Sequence, residues 1–142
     1  MKNYEHTESK LIIIKSPQIK FADLGYIRHS NKALEIELFS AGQVVQKIAI
    51  NHLVCVNAGC TSKKSFNQEY LNASYPDDLL QNVFLGKEIY SGKNRIQTKN
   101  GFSQSIENEN VNIVYKVSIN EIFFKDKEQH ILLKIKDIHG NK

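Results

Sequence analysis

The strongest constraint on this chain is a two-residue alternation of apolar and polar side chains that recurs along much of its length. Leu34, Ile36 and Leu38 alternate with Glu35 and Glu37. Ile113, Tyr115, Val117 and Ile119 alternate with Asn112, Val114, Lys116 and Ser118, and Ile131, Leu133 and Ile135 with Leu132, Lys134 and Lys136. Successive side chains of a strand point to opposite faces, so this period sends one face into a core and leaves the other in water. Ile is used heavily, and β-branched side chains favour strands.

Other segments carry the same mark. Leu11–Lys15 is an aliphatic run stopped by Ser16-Pro17, and Ile19, Phe21, Leu24 and Tyr26 alternate loosely across Gly25. Val44, Ile48, Ile50, Val54 and Val56 share parity. Asn100-Gly101 between strand-like flanks predicts a hairpin with a type I′ turn, which needs positive φ at both central residues. Segments 111–124 and 129–138 predict a second hairpin, with a parity slip at Asn120-Glu121 that marks a bulge or a break.

The middle of the chain differs. Leu79, Leu80, Val83 and Phe84 form a helical stripe after Tyr75-Pro76-Asp77-Asp78, and Gly86 stops it, so a short helix is predicted near 77–85. Phe66, Tyr70 and Leu71 suggest a second near 64–71. Eight or nine strands at intervals of roughly ten residues, with one helical insert, predict an all-β antiparallel fold. An immunoglobulin-like β-sandwich of about 8 strands is the first expectation. Residues 1–9 are polar and aperiodic and are read as a flexible tether. Residues 10–139 are read as a single β-sandwich domain.

At 142 residues one domain is the natural size. The net charge is +4, but Lys outnumbers Arg 17 to 2 and is scattered among acids. Arg supplies the planar fork that grips phosphate and guanine, so this balance argues against nucleic-acid binding. No apolar run approaches the roughly 18 residues that a membrane helix needs. Residues 1–9 contain no apolar segment of the kind found in a signal peptide, although a mature domain stripped of one would read the same. Ile, Lys and Asn together make 48 of 142 residues, a bias that AT-rich codons produce.

One local constellation could carry chemistry: His52, Cys55 and Cys60, with both cysteines of the chain flanking Asn57-Ala58-Gly59. A turn there brings two Cα atoms toward the spacing of a disulfide, which fits an oxidising compartment. Reduced inert thiols, a metal site using His52, and a Cys60 nucleophile are the alternatives. A fourth metal ligand is missing nearby and the spacing matches no zinc motif. No phosphate-binding glycine loop, nucleophile elbow or His-Glu-x-x-His is present. No cofactor is expected, and the chain is read as not an enzyme. Phe66, Tyr70, Tyr75 and Phe84 surround the helical insert. They either dock it on the sheet or form an exposed patch for a partner.

The Cys55–Cys60 turn, the Tyr75–Phe84 helix and the Asn112–Ile138 hairpin, with the Ile/Lys/Asn bias, resemble the soluble part of small outer-membrane lipoproteins of epsilonproteobacteria. That resemblance implies a lipid-bearing Cys before residue 1, with residues 2–10 as the tether, and an immunoglobulin-like fold. It also implies a cell-envelope location, anchored in the outer membrane and facing periplasm or surface, with membrane contact only through the N-terminal lipid. The function expected is protein–protein interaction, in adhesion or envelope assembly, by an edge strand that adds a partner strand. The alternative is a periplasmic carrier that holds a small apolar ligand between the sheets.

Overall fold

The computed structural model describes residues 6–30, 33–40, 43–57 and 59–138. Six strands come first: β1 (His6–Lys15), β2 (Lys20–His29), β3 (Leu34–Ser40), β4 (Gln43–Ile50), β5 (Val54–Val56) and β6 (Gly59–Thr61). Two helices follow, α1 (Lys63–Tyr70) and α2 (Leu79–Leu85), then β7 (Ile96–Thr98), β8 (Gly101–Glu107), β9 (Asn112–Val117), β10 (Glu121–Asp126) and β11 (Ile131–Asp137). The strands form one sheet in the order β6-β5-β4-β3-β2-β1-β11-β10-β9-β8-β7. Each strand lies beside its sequence neighbour except at the centre, where β1 pairs antiparallel with β11. The helical segment leaves one edge of the sheet and the chain re-enters at the other.

The all-β antiparallel expectation therefore holds, with eleven strands among the described residues rather than about eight. All eleven belong to one hydrogen-bonded order, and the two-sheet immunoglobulin arrangement is not what these bonds describe. The reason is physical. Alternation reveals which face of a strand is buried, but not which strands share a ladder or what covers them. The first strand also starts earlier than expected: His6–Ser9, read as tether, pair with Tyr26–His29.

Directly opposed residues share a face, so the register identifies the inner surface. Ile12 and Ile14 face Ile135 and Leu133, which face Ile122 and Phe124, which face Val117 and Tyr115. On the other wing Ile27, Ile36, Ile48 and Val56 are aligned across β2–β5. Residues of both wings belong to one core cluster with Phe66, Leu79, Leu80, Val83 and Phe84 of the helices. Eleven strands laid flat would span about 48 Å at ~4.8 Å per strand. Helices of 8 and 7 residues cannot cover that width, because each is only about 10–12 Å long. A sheet this wide curls, splits or flattens, and residues of both its wings pack into the cluster that contains the helices.

Local chemistry holds the helices in place. Ser62 caps α1, its Oγ accepting from the Ser65 N–H at 3.0 Å. Asn67, 2% exposed, donates to the Pro76 carbonyl at 3.0 Å and so ties α1 to the approach of α2. Gly86 ends α2 with φ +69°, and the Lys87 N–H bonds the Asn82 carbonyl at 2.8 Å, the closure that a left-handed glycine allows. The Tyr115 hydroxyl donates to the Lys87 carbonyl at 2.7 Å, fastening this end of α2 to β9. Asp77 and Asp78 precede the helix rather than filling its first turn.

The Asn100-Gly101 hairpin forms, but by a different turn. Thr98 pairs with Gly101, so Lys99 and Asn100 make the connection, and neither Asn100 nor Gly101 has positive φ. Glycine is required at 101 for space: a Cβ there would lie 1.9 Å from the Val117 carbonyl oxygen. The parity slip at Asn120-Glu121 is a true break, with a turn between β9 and β10 that leaves Ile119 80% exposed.

Candidate functional site

Cys55 and Cys60 face each other across β5 and β6 and are joined in a disulfide, with Cα atoms 3.9 Å apart. The bonded sulfurs provide neither a thiolate ligand beside His52 nor a nucleophile at Cys60. Among the described residues no group of three or more His, Cys, Asp or Glu is placed to hold a metal ion.

The aromatic residues singled out around the helices turn inward. Phe66, Tyr75 and Phe84 are buried, and Tyr70 is half-buried. Phe66 packs on Tyr70 with ring centroids 4.9 Å apart, and Tyr75 meets Phe124 edge-on at 6.0 Å. They pack into one core with the inner-face residues of the sheet and do not form an exposed patch.

Two buried polar groups anchor the irregular segments to this core. Asp126, fully buried, accepts the Tyr75 hydroxyl on Oδ2 at 2.7 Å. Its Oδ1 accepts the N–H groups of Asn112, Glu128 and Gln129 at 3.0, 3.1 and 3.3 Å. Burial, then the bond to Asp126, pushes the Tyr75 hydroxyl well above the ordinary tyrosine range. Tyr90 is pushed up to about 12 by burial and by the Asp126 charge, and burial raises Tyr115. Gln104 holds the Ile89–Lys93 loop, accepting from the Ile89 N–H at 2.9 Å and donating to the Ile89 and Lys93 carbonyls at 2.8 Å. These bonds satisfy buried groups that would otherwise destabilise the fold.

A pocket of about 310 Å³ opens at the end of the sheet where β1 starts and β11 finishes. Ile27, Val117, Ile122 and Ile135 of the sheet and Phe84 and Leu85 of α2 give it apolar walls. Glu8, Lys10 and Asp137 line it as well. The Lys10 ammonium lies 2.5 Å from Asp137 Oδ1 and 3.6 Å from Glu8 Oε1. Sequence reasoning missed these residues, yet a signal existed: Glu8 and Lys10 share the parity of Ile12 and Ile14. Extending that alternation upstream places both on the inner face.

A larger depression of about 630 Å³ lies across the β9–β10 turn. Phe102 and Val117, which the register places on the inner face, line it together with Ser103, Lys116, Glu121 and Phe123 of the outer face. Elsewhere on that face Leu24 and Tyr26 are 48% and 36% exposed. Arg28–Glu37 at 2.6 Å and Lys47–Glu35 at 2.7 Å form ion pairs across the same side of β2–β4. The edge strands β6 and β7 are three residues each.

Among the described residues no helix is long and apolar enough to cross a membrane. No family model, no characterised protein and no solved structure matches this chain.

Proposed function

We propose that this chain is a non-catalytic binding domain of the bacterial cell envelope that carries a small ligand with an apolar body. The observation that supports this is the pocket of about 310 Å³ beside the end of α2, walled by Ile27, Ile122, Ile135 and Phe84. Its size falls at the lower end of small-ligand sites, and Glu8, Lys10, His29, Asn120, Glu121 and Asp137 share the lining with those apolar side chains. The ligand would sit between helix and sheet rather than between two sheets. The Cys55–Cys60 disulfide supports an oxidising compartment, as an envelope protein requires. A lipid anchor upstream would complete this assignment and is part of the proposal.

Partner binding by strand addition is the weaker reading. Edges of three residues offer few free backbone groups, and short edges are a known defence against such pairing. A protein partner that binds the outer face is the second reading, favoured by exposed Leu24 and Tyr26; adhesion or envelope assembly would then be its role.

The test is titration of the folded protein with N-phenyl-1-naphthylamine, whose fluorescence rises in apolar sites, in the wild type and in Ile122→Phe, which fills the pocket. A saturable signal that the substitution abolishes supports the carrier. A saturable signal unchanged by both Ile122→Phe and Val117→Phe, in variants that remain folded, contradicts it, as does no binding at all.

A further inference from the structure

We infer that the outer face of β9, β10, β11, β1 and β2 docks on an anionic lipid bilayer. It lies on the opposite side of the sheet from the apolar pocket walls and is independent of whether the pocket holds a ligand. Lysines that are scattered in the sequence are gathered here by the fold. Directly opposed residues share a face, and the register sets this one out in rows. One row runs Lys116, Phe123, Lys134, Ile13 and Ala22. The next runs Val114, Lys125, Leu132, Lys15 and Lys20. A third runs Glu121, Lys136, Leu11 and Leu24. Lysines and apolar side chains are interleaved across all five strands.

The charge on this face is one-sided. Its single acid among these rows, Glu121, pairs with Lys134 at 3.6 Å. Lys15, Lys20, Lys116 and Lys125 are exposed. Acids at the borders do not offset the lysines. On one flank Glu37 and Glu35 of β3 pair with Arg28 at 2.6 Å and Lys47 at 2.7 Å. On the other, Glu107 of β8 stands opposite Asn112. Outside the described residues the chain holds one acid, Glu5, beside Lys2, Lys32 and Lys142. The face therefore keeps its positive excess even with Glu5 and Glu107 counted against it.

The mixture favours a lipid surface over a nucleic acid. Lysine is a compact hydrated charge without the planar fork that grips phosphate and guanine. A duplex backbone also gives half-exposed Phe123 and Leu132 and exposed Leu24 nothing to bury against. At a bilayer the two kinds of side chain act together: anionic headgroups attract the lysines, and apolar side chains enter the boundary between headgroups and acyl chains. The attraction acts over a screening length of about 10 Å, so a twisted face needs no flat fit.

The experiment is co-flotation of the whole protein with phosphatidylcholine vesicles, with and without phosphatidylglycerol, at low and at high salt, beside titration of a short DNA duplex. Binding is expected only to the vesicles that contain phosphatidylglycerol, weakening at high salt. Lys15→Gln, Lys116→Gln and Lys125→Gln together are expected to weaken it about a hundredfold, at roughly fivefold for each lysine near an anionic surface. Lys64→Gln, Lys87→Gln and Lys93→Gln together remove the same charge from α1 and from the segment after α2. That control is expected to weaken binding less than about tenfold, because charges beyond the screening length contribute little. Equal losses in the two triple variants mean attraction by net charge alone and overturn the assignment to this face. Equal binding to both kinds of vesicle, tighter binding to the duplex than to vesicles, or no vesicle binding overturns the lipid partner.

Discussion

The Tyr75 hydroxyl and the Asp126 carboxylate meet at 2.7 Å inside the protein, joining the approach to α2 to the end of β10. Asp126 also receives three backbone N–H groups from β9 and the β10–β11 turn. One side chain thus holds the helical segment, a strand start and a turn. Asp126→Ala leaves all four donors without their acceptor and is expected to cost about 3 kcal/mol or more, since unmet buried groups cost about 1–3 kcal/mol each. Asp126→Asn keeps one oxygen for the three amides and is expected to cost less. Urea denaturation of both variants checks the order.

The raised tyrosines predict an alkaline limit to stability. The ordinary hydroxyl value near 10 applies to the unfolded chain, while Tyr90 in the fold is pushed up to about 12 and Tyr75 and Tyr115 are also raised. Between those values the unfolded chain loses protons that the folded one keeps, so stability is complete below about pH 10 and falls as pH rises further. Absorbance at 295 nm is expected to show these three hydroxyls ionising together with loss of the near-ultraviolet dichroism. Tyr90→Phe is expected to remove one ionisation from that step.

The disulfide acts on one edge. Closing so short a loop constrains the unfolded chain by about 2 kcal/mol on chain-entropy reasoning. Replacing Cys55 and Cys60 together by Ala is expected to lower stability by that order. Hydrogen exchange should accelerate in β5 and β6 while β1 and β11, at the centre of the sheet, keep their protection.

Two glycines separate space from conformation. A Cβ at Gly101 collides with the Val117 carbonyl at 1.9 Å, whereas one at Gly59 meets nothing within 4 Å. Gly101→Ala forces backbone to move and is expected to cost about 1–3 kcal/mol, as overpacking does. Gly59→Ala is expected to stay within about 0.5 kcal/mol of wild type. Thermal unfolding of the pair checks the contrast.

Local pattern carried much of the fold into view. The alternation at Leu34–Leu38 and Ile131–Ile135 identifies buried faces that the register reproduces, and the helical stripe at Leu79–Phe84 lies within α2. What stayed hidden is non-local. Nothing in the periodicity says that β1 lies beside β11, or that all eleven strands join one hydrogen-bonded order. The pocket mouth depends on that pairing: Lys10 and Asp137 are 127 positions apart. At Gly101 the sequence pointed to the right hairpin for a different reason, because crowding from Val117 and a positive φ both select glycine. The aromatic cluster at Phe66–Phe84 was ambiguous because large side chains serve cores and interfaces alike.

The central claim is that a small ligand binds between α2 and the inner face of the sheet, and amide chemical-shift mapping during titration with octanol tests it most directly. The account predicts saturable shifts clustered at Ile27, Gly86, Val117, Ile122 and Ile135, with Leu24 and Tyr26 unmoved. Shifts centred on Leu24 and Tyr26, or no saturable shifts at all, would contradict it.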